Sequence, residues 1–284
     1  MAATETYGVV GATSLVGTPL LQLLARSGKR TVAYSRTPPS GIPGWRSYAD
    51  PPVALDTWIG TAPIWTLPEH FALLKASGAR RLVQLSSTSR FTKTASSDPR
   101  ETGTAHRLAD AEAQLIAWAE AHGVAWTILR PTLIHGFGRD RNVAEIVRFI
   151  ERFGFFPLLG RAEGLRQPVA AEDVARACML AAASGATRGH VYDIGGGETL
   201  GYREMVLRIF EAMHRRPVTP TVPLWAFRLA LAALRAVPRY RHWTPAMAER
   251  MNVDMVFDNG PAHRDFGYAP KWFEPDVPSL APRR

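Results

Sequence analysis

The chemistry most plainly written into this chain is the cradling of a phosphate. The run Thr6-Tyr-Gly-Val-Val-Gly11-Ala12-Thr13-Ser14-Leu15-Val16-Gly17 passes from β-prone residues through small ones into Thr18-Pro-Leu-Leu-Gln-Leu-Leu-Ala-Arg26, an apolar-periodic helix closed by Ser27-Gly28. Gly11 permits a tight turn and Gly17 lets the helix pack close to the strand. The backbone N–H groups between them, with the helix dipole behind, face a pyrophosphate. Ser14 stands where a middle glycine would let the backbone approach the phosphates. Serine is small and has a hydroxyl to donate, but its Cβ restricts φ. Read without a ligand, the same residues make an ordinary helix N-terminus. Thr31-Val-Ala-Tyr-Ser35-Arg36 reads as the second strand, ending about 20 residues after the last glycine, where such folds test the adenosine ribose. A guanidinium there, beside Ser35, suits a 2′-phosphate. NADP(H) is therefore the expected cofactor, with NAD(H) as second choice.

Other candidates are less sharp. Leu85-Ser86-Ser87-Thr88 runs a strand into hydroxyls, and Gly136-Phe-Gly138-Arg139-Asp140-Arg141-Asn142 carries two arginines able to fork onto a phosphate or carboxylate. A strand-end hydroxyl satisfied by backbone and a solvated basic turn are the plain alternatives. The eight histidines and one cysteine do not fall at closed-zinc spacings, so no metal is expected. Cys178 lies at a helical core position in Asp173-Val-Ala-Arg-Ala-Cys178, which favours packing over reactivity.

The elements needed to hold these residues alternate between strand and helix. Trp45–Asp50 suggests a short third strand. Trp58 to Trp65 suggests a fourth strand whose C-terminal turn is Thr61-Ala62-Pro63. A helix from Pro68 to Ser77 leads to a fifth strand at Arg81–Thr88. After a polar loop over 89–103 comes a long helix over about 104–122, then a sixth strand, Val124–Leu129, ended by Arg130-Pro131. A helix over 172–184 precedes a late strand at His190–Gly197. This pattern predicts an α/β fold, a doubly wound parallel sheet with helices on both faces. Residues 1–197 form the dinucleotide-binding domain. Residues 198–284, with 138–165 contributing, form a smaller, mostly helical lobe over the strand ends.

Composition narrows the setting. The 284 residues are 46% hydrophobic and carry a net charge of +9, with only four lysines, Lys29, Lys75, Lys93 and Lys271. The arginines are scattered and form no tract with interleaved aromatics, so a nucleic-acid partner is not expected. No signal-like N-terminus and no long uncharged apolar run is present, and a single cysteine fits a reducing cytoplasm. The stretch Pro223–Trp243 is amphipathic and basic, a candidate for contact with a membrane surface or a protein, or for covering a pocket. The residues set no oligomeric state.

With these pieces placed, the chain resembles the short-chain dehydrogenase/reductase superfamily, in its extended or atypical branch of NAD(P)-dependent epimerases and dehydratases. Gly11-Ala-Thr-Ser14-Leu-Val-Gly17 is similar to that branch's glycine pattern, and Leu85-Ser-Ser-Thr88 to its fifth-strand hydroxyl motif. Leu129-Arg-Pro131-Thr-Leu-Ile-His135-Gly, Gln167-Pro-Val-Ala-Ala-Glu-Asp173 and Phe266-Gly-Tyr-Ala-Pro270 resemble later family segments. The resemblance implies a Rossmann fold and a small-molecule substrate. It places Thr61, Ala62, Pro63, Ser86 and Pro131 around the cofactor and gives Thr88 the catalytic role of hydrogen-bonding the substrate oxygen.

The departure from the family is as informative. Its general acid/base is a tyrosine four residues before a lysine. Aligning Ala111-Glu112 to the family's helix puts Thr104 and Leu108 at those positions, and none of the seven tyrosines has a lysine four residues on. Threonine has no usable titration for proton transfer. His135, where many relatives carry a tyrosine before glycine, is the candidate catalytic substitute. His106 lies two residues past the tyrosine position and so turns to another face of the helix. Two functions follow: an NAD(P)-dependent oxidoreductase or epimerase/dehydratase relative with altered proton transfer, or a non-catalytic cofactor-binding redox regulator or assembly subunit.

Overall fold

The computed structural model describes residues 5–36, 44–223, 225–227 and 250–275. Most of the basic stretch over 223–243, including residues 228–243, lies outside them. Seven parallel strands form the central sheet, in the order β11-β6-β5-β4-β1-β2-β3. They are β1 (Thr6–Val10), β2 (Arg30–Tyr34), β3 (Trp45–Arg46), β4 (Thr57–Gly60), β5 (Arg81–Leu85), β6 (Ala125–Pro131) and β11 (His190–Ile194). Strand order reverses beside β1, whose Tyr7 is in register with Thr31 of β2 on one side and Thr57 of β4 on the other. Such a reversal leaves a crevice at the carboxyl ends of the strands, where open α/β sheets bind ligands.

Both faces of the sheet are covered, which is why its strands read as apolar runs instead of alternating. Helices α1 (Gly17–Arg26) and α6 (Ala171–Ala183) pack on one face around Val9, Leu20, Leu24, Ile59 and Val174. On the other face lie a 3₁₀ turn (Ile64–His70), α2 (Phe71–Ala76) and α4 (Pro99–Ala121), around Trp58, Leu67, Leu82 and Leu115. Arg81 is buried between β5, β6 and α6 with no carboxylate partner among the described residues. Its Nη2 donates to Thr127 Oγ1, Thr187 Oγ1 and the Ala181 carbonyl at 2.7, 2.6 and 2.8 Å, so the cation is balanced by dipoles.

The expected polar loop over 89–103 is instead largely helical. It holds α3 (Ser89–Thr92), and α4 starts at Pro99, earlier than the spacing of apolar residues suggested. The start is chemically specified: the Asp98 carboxylate accepts from the Arg100 amide at 2.9 Å, and Pro99 sits where a helix has no use for an N–H. The added turn carries Glu101 toward the mouth of the cavity described below.

A second apolar cluster stands beyond the strand ends. It joins Val143, Val147 and Ile150 of α5 (Val143–Phe153), Leu158 and Leu159, Val206, Ile209 and Phe210 of α7 (Tyr202–Ala212), and Phe227, Met251 and Phe273. The lobe also contains two-residue strands: β8 (Leu158–Leu159) pairs with β13 (Thr221–Val222), and β9 (Leu165–Arg166) with β12 (Leu200–Gly201). Two further short strands, β7 (Ile134–His135) and β10 (Val169–Ala170), tie the lobe's stem to the sheet domain. The chain then returns to the first core through α8 (Gly260–Phe266), where Ala262, Phe266 and Tyr268 are buried with β11 and α6.

Tight packing under β1 gives a direct test of this core. A Cβ on Gly8 would stand 2.5 Å from the ring of the fully buried Trp58. Gly8→Ala should therefore lower the unfolding free energy by about 1–3 kcal/mol, read as a lower urea midpoint at unchanged slope; an unchanged midpoint would contradict the packing.

Candidate functional site

The glycine turn is built as a cradle. Gly11 has φ of +81°, and an added Cβ would come within 2.4 Å of the Ala62 amide nitrogen, so β4's terminal turn closes against it. The Gly11 and Ala12 amides both donate to the Tyr34 carbonyl, at 3.0 and 3.1 Å. Ser14, in the middle-glycine position, turns its hydroxyl inward. Its Oγ accepts from the Gly17 amide at 2.9 Å and donates to Thr61 Oγ1 at 3.0 Å. Thr61 Oγ1 in turn lies within 3.1 Å of the Val10 carbonyl and 2.9 Å of the Gly11 carbonyl. The Ser14 hydroxyl therefore secures the turn and is not held out toward a ligand. The Leu15 and Val16 amides have no acceptor among the described residues, and the first turn of α1 has no acidic residue. Those two features are what an anion at this helix start requires.

At the end of β2, Ser35 is buried and its Oγ accepts from the Trp45 indole N–H at 2.9 Å. Arg36 is exposed, and its charge lies close enough to favour the ionised form of Tyr48, although burial raises that phenol overall. The Tyr48 hydroxyl accepts from the Gly11 amide at 3.3 Å and its ring stacks on His70 at 4.0 Å. The cradle's edge at the end of β2 is thus framed by Arg36, Tyr48 and Trp45. Only Arg36 and Ser35 of this group were chosen from the sequence; the aromatic pair sits too far away along the chain for spacing to reveal it.

A cavity of about 840 Å³ extends from Leu15 of the glycine turn to the second apolar cluster. Thr88 lines it with Ser87 and Ser89, and Thr88 Oγ1 donates to the Pro131 carbonyl at 3.2 Å. The distal wall is apolar, with Phe149, Phe156, Leu159, Met205, Met251 and Met255. Charged residues ring it: Lys93, Arg139, Arg141, Arg166 and Arg250, with Asp140 and Glu145. Both carboxylates are engaged elsewhere. Asp140 accepts from the Asn142 and Ala144 amides at 2.9 and 3.1 Å, and Glu145 pairs with Arg148 at 2.7 Å. Arg166 is buried and donates to the Leu165 and Val253 carbonyls, both at 2.7 Å, and to that of Arg250. Arg250 and Lys93 share Glu101.

His135 follows β6 but is not among the residues lining the cavity. It is buried edge-on against Phe273, with ring centroids 5.0 Å apart. Burial pushes its pKa down to about 4, against the opposing charges of Asp140 and Asp173. His106 is exposed on the outer side of α4. Thr104 spends its hydroxyl on the Arg100 carbonyl at 2.8 Å, and Leu108 is buried against Ile64, Leu67 and Leu115. Among the described residues no three His, Cys, Asp or Glu side chains group as a metal site. Cys178 is fully buried, and desolvation pushes its thiol up to about 12.

Ser86 does not face the cavity. Its hydroxyl donates to Glu112 Oε1 at 2.6 Å. Glu112, 1% exposed, also accepts from Arg130 Nε and Nη2 at 2.9 and 2.6 Å and from Arg90. Asp193 of β11 completes the group at 3.7 Å from Arg130. This buried cluster fixes the face of α4: Thr104 and Leu108 stand two turns and one turn before Glu112, on the same stripe. The cluster was not anticipated from the sequence, because its members come from five separate elements or loops.

Residues 69–195 match the family model described as the NAD dependent epimerase/dehydratase family. Over 134 residues the chain is 30% identical to NADH dehydrogenase (ubiquinone) 1 alpha subcomplex subunit 9, mitochondrial, of Arabidopsis thaliana, covering 47% of this chain and 31% of that protein. The chain's matches span only 31% to 37% of the curated relatives' own length. Among solved structures, MoeE5 in complex with UDP-glucuronic acid and NAD superposes with a TM-score of 0.68 at 22% identity, covering 97% of this chain and 96% of that one. RMD from Pseudomonas aeruginosa complexed with NADPH gives 0.64 at 17%, covering 98% and 97%. The matched segment agrees with the resemblance carried by the motifs, and structural likeness at these identities establishes the fold. No helix among the described residues is long and apolar enough to cross a membrane.

Glu112 provides a pH-dependent test. Burial alone would raise its carboxyl, but hydrogen bonds from Arg130 and Ser86 and the charges of Arg130 and Arg90 outweigh it, so the pKa lies below the usual value. A depressed carboxyl stabilises fully above its unfolded value, about 4.3, and the contribution is lost as pH falls through the folded value. Glu112→Gln should cost about 3–5 kcal/mol at pH 7. Urea denaturation from pH 7 to pH 3 should show the gap to wild type closing at the acid end; a constant gap would mean that the charge is not what stabilises.

Proposed function

We propose that this chain, with an NAD dependent epimerase/dehydratase segment over residues 69–195 and the short-chain dehydrogenase/reductase fold, is a nicotinamide-dinucleotide-dependent oxidoreductase that prefers NADP(H). One observation carries the reading: a single cavity reaches from Leu15 on the phosphate turn to Thr88 at the end of β5. A cofactor on that turn and a substrate in that space would share a boundary. The backbone of Gly11–Gly17 would hold the pyrophosphate, Ser35 and Arg36 the 2′-phosphate, and Thr61, Ala62, Pro63 and Pro131 would flank the rest; Ser86, whose hydroxyl is held by Glu112, would do so with its backbone alone. When bound, the nicotinamide supplies or accepts a hydride.

Thr88 orients the reacting oxygen. Its hydroxyl bonds only to the Pro131 carbonyl among the described residues, which leaves the oxygen's lone pairs for a substrate donor and lets the proton rotate to a substrate acceptor. Neither Thr104 nor Leu108 titrates, and His135 is neutral and set behind the wall at physiological pH. With those three positions closed, we assign proton transfer to water or to a group on the substrate. A positioned acid/base contributes roughly 10²–10⁴-fold, so turnover is slow by the standard of relatives with the tyrosine and lysine. The apolar distal wall favours a substrate less polar than the UDP-sugar in the MoeE5 complex. The single buried cysteine supports a cytoplasmic setting.

A second reading is a cofactor-binding subunit without turnover. It is supported by Thr104 and Leu108 at the acid/base positions and by the similarity to a subunit of NADH dehydrogenase. Scanning carbonyl, enone and sugar-nucleotide compounds for NADPH oxidation separates the two, since tight cofactor binding without oxidation of NADPH by any of them favours the subunit.

Three substitutions test the assignments. Arg36→Ala should weaken NADPH in a fluorescence titration by about 1.5–3 kcal/mol, the worth of a charge-assisted contact, with NADH nearly unchanged; equal losses would refute the 2′-phosphate role. Thr88→Ala should lower kcat at nearly constant cofactor affinity. If Thr104→Ala impairs the chemical step more than Thr88→Ala does, the assignment of roles along α4 is wrong.

A further inference from the structure

Arg139 makes a contact that the cavity alone does not require. It sits on the loop between β7 and α5, on the far side of the crevice from the glycine turn, yet its Nη2 donates to the Thr13 carbonyl at 2.8 Å. The loop is shaped to deliver it. Gly136, Phe137 and Gly138 all have positive φ (139°, 57° and 62°), and Phe137 adopts that conformation without being glycine. Asp140, buried beneath, gathers the Gly136, Asn142 and Ala144 amides at 3.4, 2.9 and 3.1 Å. The backbone under Arg139 is thereby fixed, whereas its side chain is exposed and has no carboxylate partner among the described residues.

We infer that Arg139 is a cofactor-binding residue, moving from the Thr13 carbonyl to the pyrophosphate of a dinucleotide held on the turn. The inference rests on the cofactor reading above. A guanidinium gains more from an ionised phosphate oxygen than from a neutral carbonyl, because both partners then carry opposite charges and the contact can be bidentate. Thr13 lies within the turn whose Leu15 and Val16 amides lack acceptors, so the phosphate and the carbonyl compete for the same donor over a short distance. The turn itself brings backbone dipoles to a ligand carrying two negative charges on its pyrophosphate, and Arg139 adds a full positive charge. Because Arg139 also lines the cavity, its movement onto the cofactor changes the wall that a substrate meets. Loading the cofactor would thus shape the substrate site.

The test compares two probes on the purified full chain. NADPH carries the pyrophosphate; adenosine 2′-monophosphate carries the adenosine and 2′-phosphate with no phosphate at the 5′ position. Arg139→Gln should weaken NADPH about 10- to 100-fold by calorimetry and leave adenosine 2′-monophosphate within twofold of wild type. Arg139→Lys should fall between, keeping charge without the fork. Unchanged thermal unfolding of the free variants checks that the loop still folds. If wild type binds NADPH and Arg139→Gln binds it equally well, the assignment to Arg139 fails while the cofactor reading stands. If Arg139→Gln loses both probes alike, the residue acts through the fold and the inference also fails. If wild type binds neither probe, the cofactor reading fails first and takes this one with it.

Discussion

The tightness of the β1–α1 turn is the constraint on which the remaining geometry depends. Three strands meet there: Gly11 and Ala12 hang from the carbonyl of Tyr34 at the end of β2, and Ala62 after β4 presses on Gly11 from the other side. The Ser14 and Thr61 hydroxyls then lock the turn internally, from the Gly17 amide to the Gly11 carbonyl. A side chain at Gly11 or Gly17 would collide with backbone, at 2.4 Å and 2.3 Å, and backbone has little room to give. The helix start can therefore point at only one place, the crevice where strand order reverses. The cavity extends away from that point, and Arg139 crosses back to it.

Seen this way, serine at position 14 is a change of means. A glycine there would keep the backbone bare so that a phosphate can approach. Serine keeps the turn equally tight by supplying an internal hydrogen-bond relay, and it needs Thr61 as its partner. The relay joins residues 47 positions apart. It follows that Thr61 acts on the turn through Ser14 and the carbonyls it bonds, whatever further contact its position allows. A hydroxyl tied at both ends costs less to leave unliganded than a free one, because its polar atoms are already satisfied.

Much of this was legible in the sequence because it depends on local periodicity and spacing. The glycine turn, the parallel strands, Arg36 at the end of β2 and the helix over 172–184 are local signals, and the fold follows from their alternation. The start of α4 was readable too, in Asp98-Pro99, but the apolar spacing drew the boundary several residues later than the cap did. What the sequence could not disclose is what arises only when distant segments meet. The Glu112 cluster draws on α3, α4, the end of β5, β6 and β11. The Tyr48–His70 stack and the Arg139–Thr13 contact are likewise products of topology. His135 illustrates the converse: its position in the chain pointed to the site, and its burial against Phe273 took it behind the wall.

That burial bears on the chemistry more than any single absence does. A histidine serves as acid and base near neutral pH only when both forms are accessible. Burial pushes the His135 pKa down to about 4, because the surrounding apolar side chains cannot solvate imidazolium and the charges of Asp140 and Asp173 compensate only in part. The hydroxyls of Ser87, Thr88 and Ser89 line the sheet end of the cavity. They orient oxygen well and exchange protons poorly. Under the oxidoreductase reading proposed above, a site of that composition would suit a reaction in which hydride moves and the proton follows from solvent, on a substrate whose apolar body rests against Phe149, Phe156 and Met205 while its oxygen reaches Thr88.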